Sequence, residues 1–89
     1  MQTLVGWHIE MEFKEEGDRT RAAAMVRLGD GTECRGHGSA NRHHSDQPQL
    51  LVGEEIAGAR ALMDLASQLL ERAHKQIDDA SGRQSHPIH

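Results

Sequence analysis

The 89-residue sequence has little of the material from which large cores and disulfide frameworks are built. It contains one cysteine, two prolines, one tryptophan, one phenylalanine and no tyrosine. A single cysteine excludes an internal disulfide and fits a reducing compartment. With so few aromatic residues, the core must consist of aliphatic and small side chains, and a core that thin often depends on a second subunit.

A dominant charge and long apolar runs are also missing. The formal net charge is −4, and the acidic excess is spread over both halves of the chain, so no basic half is present to clamp nucleic acid. The longest apolar runs span a few residues, and the N-terminus lacks a signal-peptide pattern. We therefore expect a cytoplasmic protein that does not cross a membrane, with a single domain over residues 1–82 and a disordered tail at 83–89.

What the sequence does contain is three segments with the period of β-strands. Apolar and polar residues alternate strictly over residues 7–14, and residues 20–28 and 32–40 also alternate. The pair Gly17-Asp18 predicts a tight hairpin between the first two strands. In the first strand, the residues predicted to point into the core are Trp7, Ile9, Met11 and Phe13.

The loop between the second and third strands fixes their pairing. Residues that face each other across two strands must point to the same side of the sheet. A two-residue turn would bury Glu33, so we predict a three-residue loop over residues 29–31 with Gly31 in the left-handed conformation. This register places Val26 opposite Cys34 and Arg27 opposite Glu33.

A long helix is predicted from Glu54 to Ala80, after a crossing loop at residues 41–49. Glu54 and Glu55 would complement the positive end of the helix, and Ser81-Gly82 would end it. The apolar residues that recur at intervals of seven are Ile56, Met63, Leu70 and Ile77.

The order of these elements predicts an α+β fold, in which a three-stranded antiparallel β-meander is followed by one long C-terminal helix packed on one face. The helix is longer than the strands, so its last turns would extend past the sheet. Both outer strands would also present unpaired edges. We therefore expect a homodimer with a shared sheet, with candidate dimer contacts at Leu70, Ala73 and Ile77.

Two long segments resemble a known family. They are DRTRAAAMVRLGDGTECRGHGSANR at residues 18–42 and VGEEIAGARALMDLASQLLERAHKQID at residues 52–78. The combination of DGTE, RGHG and GEEIAGARAL is similar to that of a family of small actinobacterial proteins of unknown function, some of them associated with hypoxia and dormancy. The resemblance implies a β-β-β-α fold, a homodimer with a continuous sheet and a shape similar to ribosome hibernation factors, without an established catalytic activity.

The segment CRGHGSANRHH at residues 34–44 raises the question of a metal or phosphate site. Cysteine and histidine suit zinc, and the candidate ligands are Cys34, His37, His43 and His44. Cys34 and His37 lie on opposite faces of one strand, however, so they cannot share an ion, and we predict no metal and no cofactor. The Gly-x-Gly pattern lacks the third glycine of a phosphate-binding loop.

The outer face of the sheet is the remaining candidate for binding. Its basic residues are Arg21, Arg27, Arg35, His37 and Arg42. A flat face offers no cleft for catalysis or for a small-molecule substrate, so we predict a protein that is not an enzyme. The favoured hypothesis is a homodimer that associates with ribosomes or other RNA during stress or dormancy. The alternative is a protein-interaction module that binds a partner through the helix end, without RNA contact.

Overall fold

A computed structural model of the chain describes residues 4–41 and 50–82. The strands form one antiparallel sheet in the order β1-β2-β3, and the helix follows them in the chain. This confirms the predicted α+β fold. The predicted disordered tail at 83–89 and most of the predicted crossing loop lie outside the described residues. The elements are β1 (Ile9–Glu16), β2 (Arg19–Arg27), β3 (Glu33–Asn41) and α1 (Leu50–Gly82).

Both hairpins are built as their turn residues predict. Gly17 has a φ of 60° and opens a two-residue turn that sets Glu16 opposite Arg19. In the second loop, Gly31 has a φ of 89° and its N–H donates to the carbonyl of Leu28 at 2.9 Å. The register is the predicted one, with Val26 opposite Cys34 and Arg27 opposite Glu33.

The core is thin because the helix lies very close to the sheet. A Cβ atom added to Gly36 would fall 2.8 Å from the Cα of Leu65, and one added to Gly38 would fall 2.5 Å from the carbonyl oxygen of Ala57. Only glycine permits so close an approach between a strand and a helix backbone. The buried apolar residues are Ala22, Ala24, Val26, Ala40, Ala57, Ala61 and Leu65.

The helix begins at Leu50, four residues before the predicted start at Glu54. Its first turn contains no acidic residue, so the predicted role of Glu54 and Glu55 at the positive end is wrong. Gly53 made a helix at this point unfavourable by propensity. Here tertiary packing outweighs propensity, because Gly53 is buried and a Cβ there would fall 3.1 Å from Oγ1 of Thr20.

Of the large apolar residues predicted to close the core, Met11 packs against the core cluster, but Trp7, Ile9 and Phe13 stay exposed, contrary to prediction. The inward side chains of β1 are on the face that α1 covers, opposite Ala22, Ala24 and Val26 of β2. The helix packs on β2 and β3 and meets β1 only near Gly58, where Phe13 Cζ would be 3.4 Å from an added Cβ. The exposed fractions in the single chain are 55% for Trp7, 46% for Ile9 and 43% for Phe13.

Candidate binding surfaces

The outer face of the sheet, which points away from α1, carries the predicted basic residues. Alternation along β2 and β3 places Arg21, Arg27, Arg35 and His37 on this face. All four are exposed. The fifth predicted residue, Arg42, lies outside the described residues.

At one end of the outer face, the positive charges of two arginines are paired with a carboxylate. Nη2 of Arg27 lies 2.7 Å from Oε2 of Glu33, and Nη2 of Arg35 lies 3.7 Å from Oε1 of the same carboxylate. The hydrogen bond from Arg27 holds the pKa of Glu33 below its usual range, and the same bond raises the pKa of Arg27. These two arginines therefore offer less positive charge to a partner than the sequence suggested.

The other end of the outer face is not flat, contrary to prediction: it contains a depression of about 820 Å³, which we call the basic depression. Small residues line it together with charged ones. The outer-face residues that line it are Glu12, Lys14, Arg19, Arg21, Ala23, His37 and Ser39. Of the predicted face, only Arg21 and His37 belong to it.

Register explains why Lys14 and Ser39 join the basic depression. Lys14 lies directly opposite Arg21, which in turn lies opposite Ser39, so the three form one row across the sheet. The next row places Ala23 between Glu12 and His37. Sequence analysis missed Lys14 as a site residue, although the predicted hairpin at Gly17-Asp18 already brings the end of its strand beside Arg21.

The two outer strands differ at their edges. The N–H of His37 on β3 donates to Oδ2 of Asp64 at 2.8 Å, and the carbonyl of Ser39 accepts from Nη1 of Arg60 at 2.9 Å. The amide of Gln68 also donates to Oδ2 of Asp64 at 3.2 Å. Helix side chains therefore occupy two hydrogen-bonding positions on the free edge of β3.

The edge of β1 has no such cover among the described residues. The outward direction of the His37 N–H fixes the alternation across the sheet. By that alternation the N–H and C=O groups of Met11 and Phe13 point away from β2. The outward backbone of β1 thus stands beside the exposed apolar side chains of the same strand.

The last turns of α1 extend beyond the sheet, as predicted. The last helix residue with a described hydrogen bond to the sheet region is Arg72, whose Nη2 lies 3.0 Å from Oδ2 of Asp30 and 3.3 Å from Oγ1 of Thr32. Of the predicted dimer contacts, Leu70 is 60% and Ile77 59% exposed. Ala73, the third contact, is also exposed.

The structure separates the two candidate metal ligands that it describes. Cys34 packs against the core cluster, whereas His37 is exposed on the outer face. His43 and His44 lie outside the described residues. Over residues 4–41 and 50–82, no three His, Cys, Asp or Glu side chains are grouped so that they could hold an ion. In the same part of the chain, no helix has the length and apolar character needed to cross a membrane.

Comparisons with known proteins agree with this architecture. The crystal structure of Rv2632c superposes with a TM-score of 0.81 at 31% identity, covering 97% of this chain and 98% of that one. The uncharacterized proteins Rv2632c of Mycobacterium tuberculosis and Mb2665c of Mycobacterium bovis are each 37% identical over 70 residues, which is 79% of this chain and 74% of theirs.

A family model described as Rv2632c-like matches residues 5–86. The relatives are mycobacterial, which confirms the predicted resemblance to small actinobacterial proteins of unknown function. The implied likeness to ribosome hibernation factors stays a prediction. The chain belongs to the Rv2632c-like family.

Proposed function

We propose that this protein acts without catalysing a reaction, as a homodimer that binds a macromolecular partner. The observation that carries the proposal is the exposure of the apolar face of β1 beside an edge that no described side chain covers. Exposed apolar surface next to an unpaired strand edge favours association.

A second copy of the chain suits this surface better than an unrelated strand. Two β1 strands related by a two-fold axis perpendicular to the sheet would run antiparallel, the direction in which the strands of this sheet already pair. Edge pairing at β3 is disfavoured because Asp64 and Arg60 already occupy its hydrogen-bonding groups. The two copies of α1 would then lie on the same side of a six-stranded sheet and cover Ile9 and Phe13 between them.

Sedimentation of an Ile9→Lys variant tests the dimer. The wild-type chain is expected to sediment as a dimer at micromolar concentration, and Ile9→Lys as a monomer, because a lysine would have to be buried at the seam. The matched control is Met63→Lys, which puts the same charge on an exposed apolar residue of α1 that points away from the sheet. A monomeric wild type, or dissociation by both variants, would contradict the proposal.

For the partner, we infer association with ribosomes or other RNA during stress or dormancy. The support is the concentration of Lys14, Arg19 and Arg21 at one end of the outer face, which stays exposed in a β1-joined dimer. Binding through phosphate contacts is expected to weaken steeply with salt. Co-sedimentation with ribosomes from starved cells, repeated at rising salt, measures this. A chain that stays out of the ribosomal fraction at low salt would remove this partner.

The second candidate function is binding of a protein through the helix end. It is favoured by the exposure of Leu70 and Ile77 in turns that lie near or beyond the last described contact with the sheet. This binding would tolerate salt, and Ile77→Lys would abolish it while the dimer joined at β1 persists; loss of the dimer in this variant would instead support the predicted dimer contact at Ile77. Ribosome binding that survives Ile77→Lys would assign the partner to the outer face instead.

A further inference from the structure

We propose that the basic depression is a binding site for a phosphate group, carried by either a small phosphorylated molecule or an RNA strand. The site is built on β1, β2 and β3 of one chain, on the face opposite α1. The site needs no residue of a second chain, and phosphate binding is tested separately from the proposed dimer and the proposed ribosome association.

The site carries a positive formal charge, whereas the whole molecule carries a negative one. Three positive side chains, Lys14, Arg19 and Arg21, and one negative side chain, Glu12, line the depression, and the carboxylate of Glu16 lies beside two of the cations, which gives a formal local charge of +1. The whole chain carries a formal charge of −4. The depression thus concentrates positive potential in a molecule that otherwise repels anions, and a concave surface focuses such a potential.

The strongest support for the inference is that Lys14 lies directly opposite Arg21. Like charges placed directly opposite each other on neighbouring strands are unfavourable. The same sheet elsewhere pairs opposite charges, as Arg27 and Glu33 show. A local rule broken on one face of an otherwise consistent sheet indicates a functional site.

Glu16 relieves this repulsion only in part. Its carboxylate lies 3.5 Å from Nζ of Lys14 and 3.7 Å from Nη1 of Arg21, so a single negative charge serves two cations. Both distances are long for charge-assisted hydrogen bonds, which are usually about 2.7–2.9 Å. An incoming phosphate dianion would supply the charge and the shorter contacts that Glu16 does not.

The shape of the site suits a phosphate bound from the solvent side. Ala23 and Ser39 keep the centre low, and the longer side chains of Lys14, Arg21 and His37 surround it. The Arg21 guanidinium can hold two phosphate oxygens at once, and the Lys14 ammonium acts as a point charge. A volume of about 820 Å³ lies within the range of small-ligand sites. The outer positions of β1, β2 and β3 carry no Phe, Tyr or Trp, and His37 is the one ring at these positions on which a base could stack, so recognition would rest mainly on the phosphate.

Amide chemical-shift titrations locate the site. The probes are inorganic phosphate, adenosine monophosphate and a ten-nucleotide RNA, each added to the full chain at constant ionic strength. We expect saturable shifts at the amides of Arg21, Ala23 and Ser39. Saturation by either of the small probes identifies a small phosphorylated ligand, and saturation by the RNA alone identifies a strand as the source.

A pair of arginine variants separates the site from general electrostatics. Arg21→Gln is expected to weaken binding about tenfold, the equivalent of one charge-assisted contact. The control Arg27→Gln removes the same charge from the opposite end of the outer face and should change affinity less than twofold. Equal losses in both variants, or no saturable shift with any probe, would overturn the proposal. The amide spectra show whether each variant is folded.

Discussion

The inner faces of the two outer strands lie on the same side of the sheet as α1, but the helix covers β3 far more completely than β1. On β3, inward Gly36 and Gly38 bring α1 into contact with the backbone, and Asp64 and Arg60 cover part of the edge. On β1, the inward residues are large, and the side chains of Ile9 and Phe13 and the edge of the strand are left exposed. The strand with the weakest hydrophobic pattern is therefore the better covered one.

The difference shows that side-chain volume, as well as hydrophobicity, decides where the helix lies. A helix packs where its backbone can approach most closely, because dispersion contacts depend steeply on distance. Ala22, Ala24 and the glycines of β3 leave such a space, whereas Met11 and Phe13 on β1 are too large to leave one. The large residues are then available to a second surface, which is the basis of the proposed dimer.

The largest expected effect follows from filling the space at β3. Gly36→Ala places a methyl group against backbone atoms of Ala61 and Leu65, which cannot rotate away. The helix must lift from the sheet, and we expect a loss of about 3 kcal/mol in the free energy of unfolding, at the upper end of overpacking effects. Denaturant unfolding followed by circular dichroism measures it.

Gly29→Ala is the control for this prediction. An added Cβ at Gly29 meets nothing within 4 Å, and the φ of this residue is not in the left-handed region. Its effect on the free energy of unfolding should stay within about 0.5 kcal/mol. Similar losses from the two variants would mean that close approach at Gly36 does not hold the helix in place.

Most of the fold could be predicted because turn residues and side-chain alternation are enough to determine how the strands of each hairpin pair. Gly31 and the parity of facing residues determined the register between β2 and β3, and the structure has that register. The start of the helix could not be predicted, since Gly53 disfavours a helix locally and is accommodated only by its packing against Thr20. Tertiary contact of that kind has no signal within one segment of sequence.

The candidate site was predicted less completely for a related reason. Composition marks arginines as cations but does not show which carboxylates they meet. The pairing of Arg27 with Glu33 followed from the predicted register, yet Arg35 shares the same carboxylate from two residues along the strand. The depression forms because the small side chains of Ala23 and Ser39 lie among longer side chains from three strands. The alternating pattern of one strand does not reveal such an arrangement.

A second variant would make the edge of β3 resemble that of β1. Asp64→Ala removes the carboxylate that accepts from the His37 N–H, so this amide would meet solvent. Amide hydrogen exchange at His37 should become faster, and the free energy of unfolding should fall by about 1 kcal/mol. Asp78→Ala, on the exposed end of α1, should change neither. Unchanged protection of the His37 amide in Asp64→Ala would show that the edge is covered by other means.

The smallest effect concerns the loop between β2 and β3, which α1 contacts through Arg72. The pKa of Asp30 is lowered to about 2 from 3.8, first by the hydrogen bond from the Thr32 N–H, and less by the Thr32 hydroxyl and Arg72. Because its pKa is lower in the folded state, ionised Asp30 stabilises the fold at pH values above its ordinary pKa. This contribution is lost as pH falls from about 5 to 2. Asp30→Asn should therefore melt at a lower temperature at pH 7, and its melting temperature should fall less steeply between pH 5 and 2.

Arg72→Gln removes a group that lowers the pKa of Asp30 less, so it should flatten this decline in melting temperature less. A decline as steep in Asp30→Asn as in the wild type would mean that the acid sensitivity comes from other carboxylates, such as Glu33.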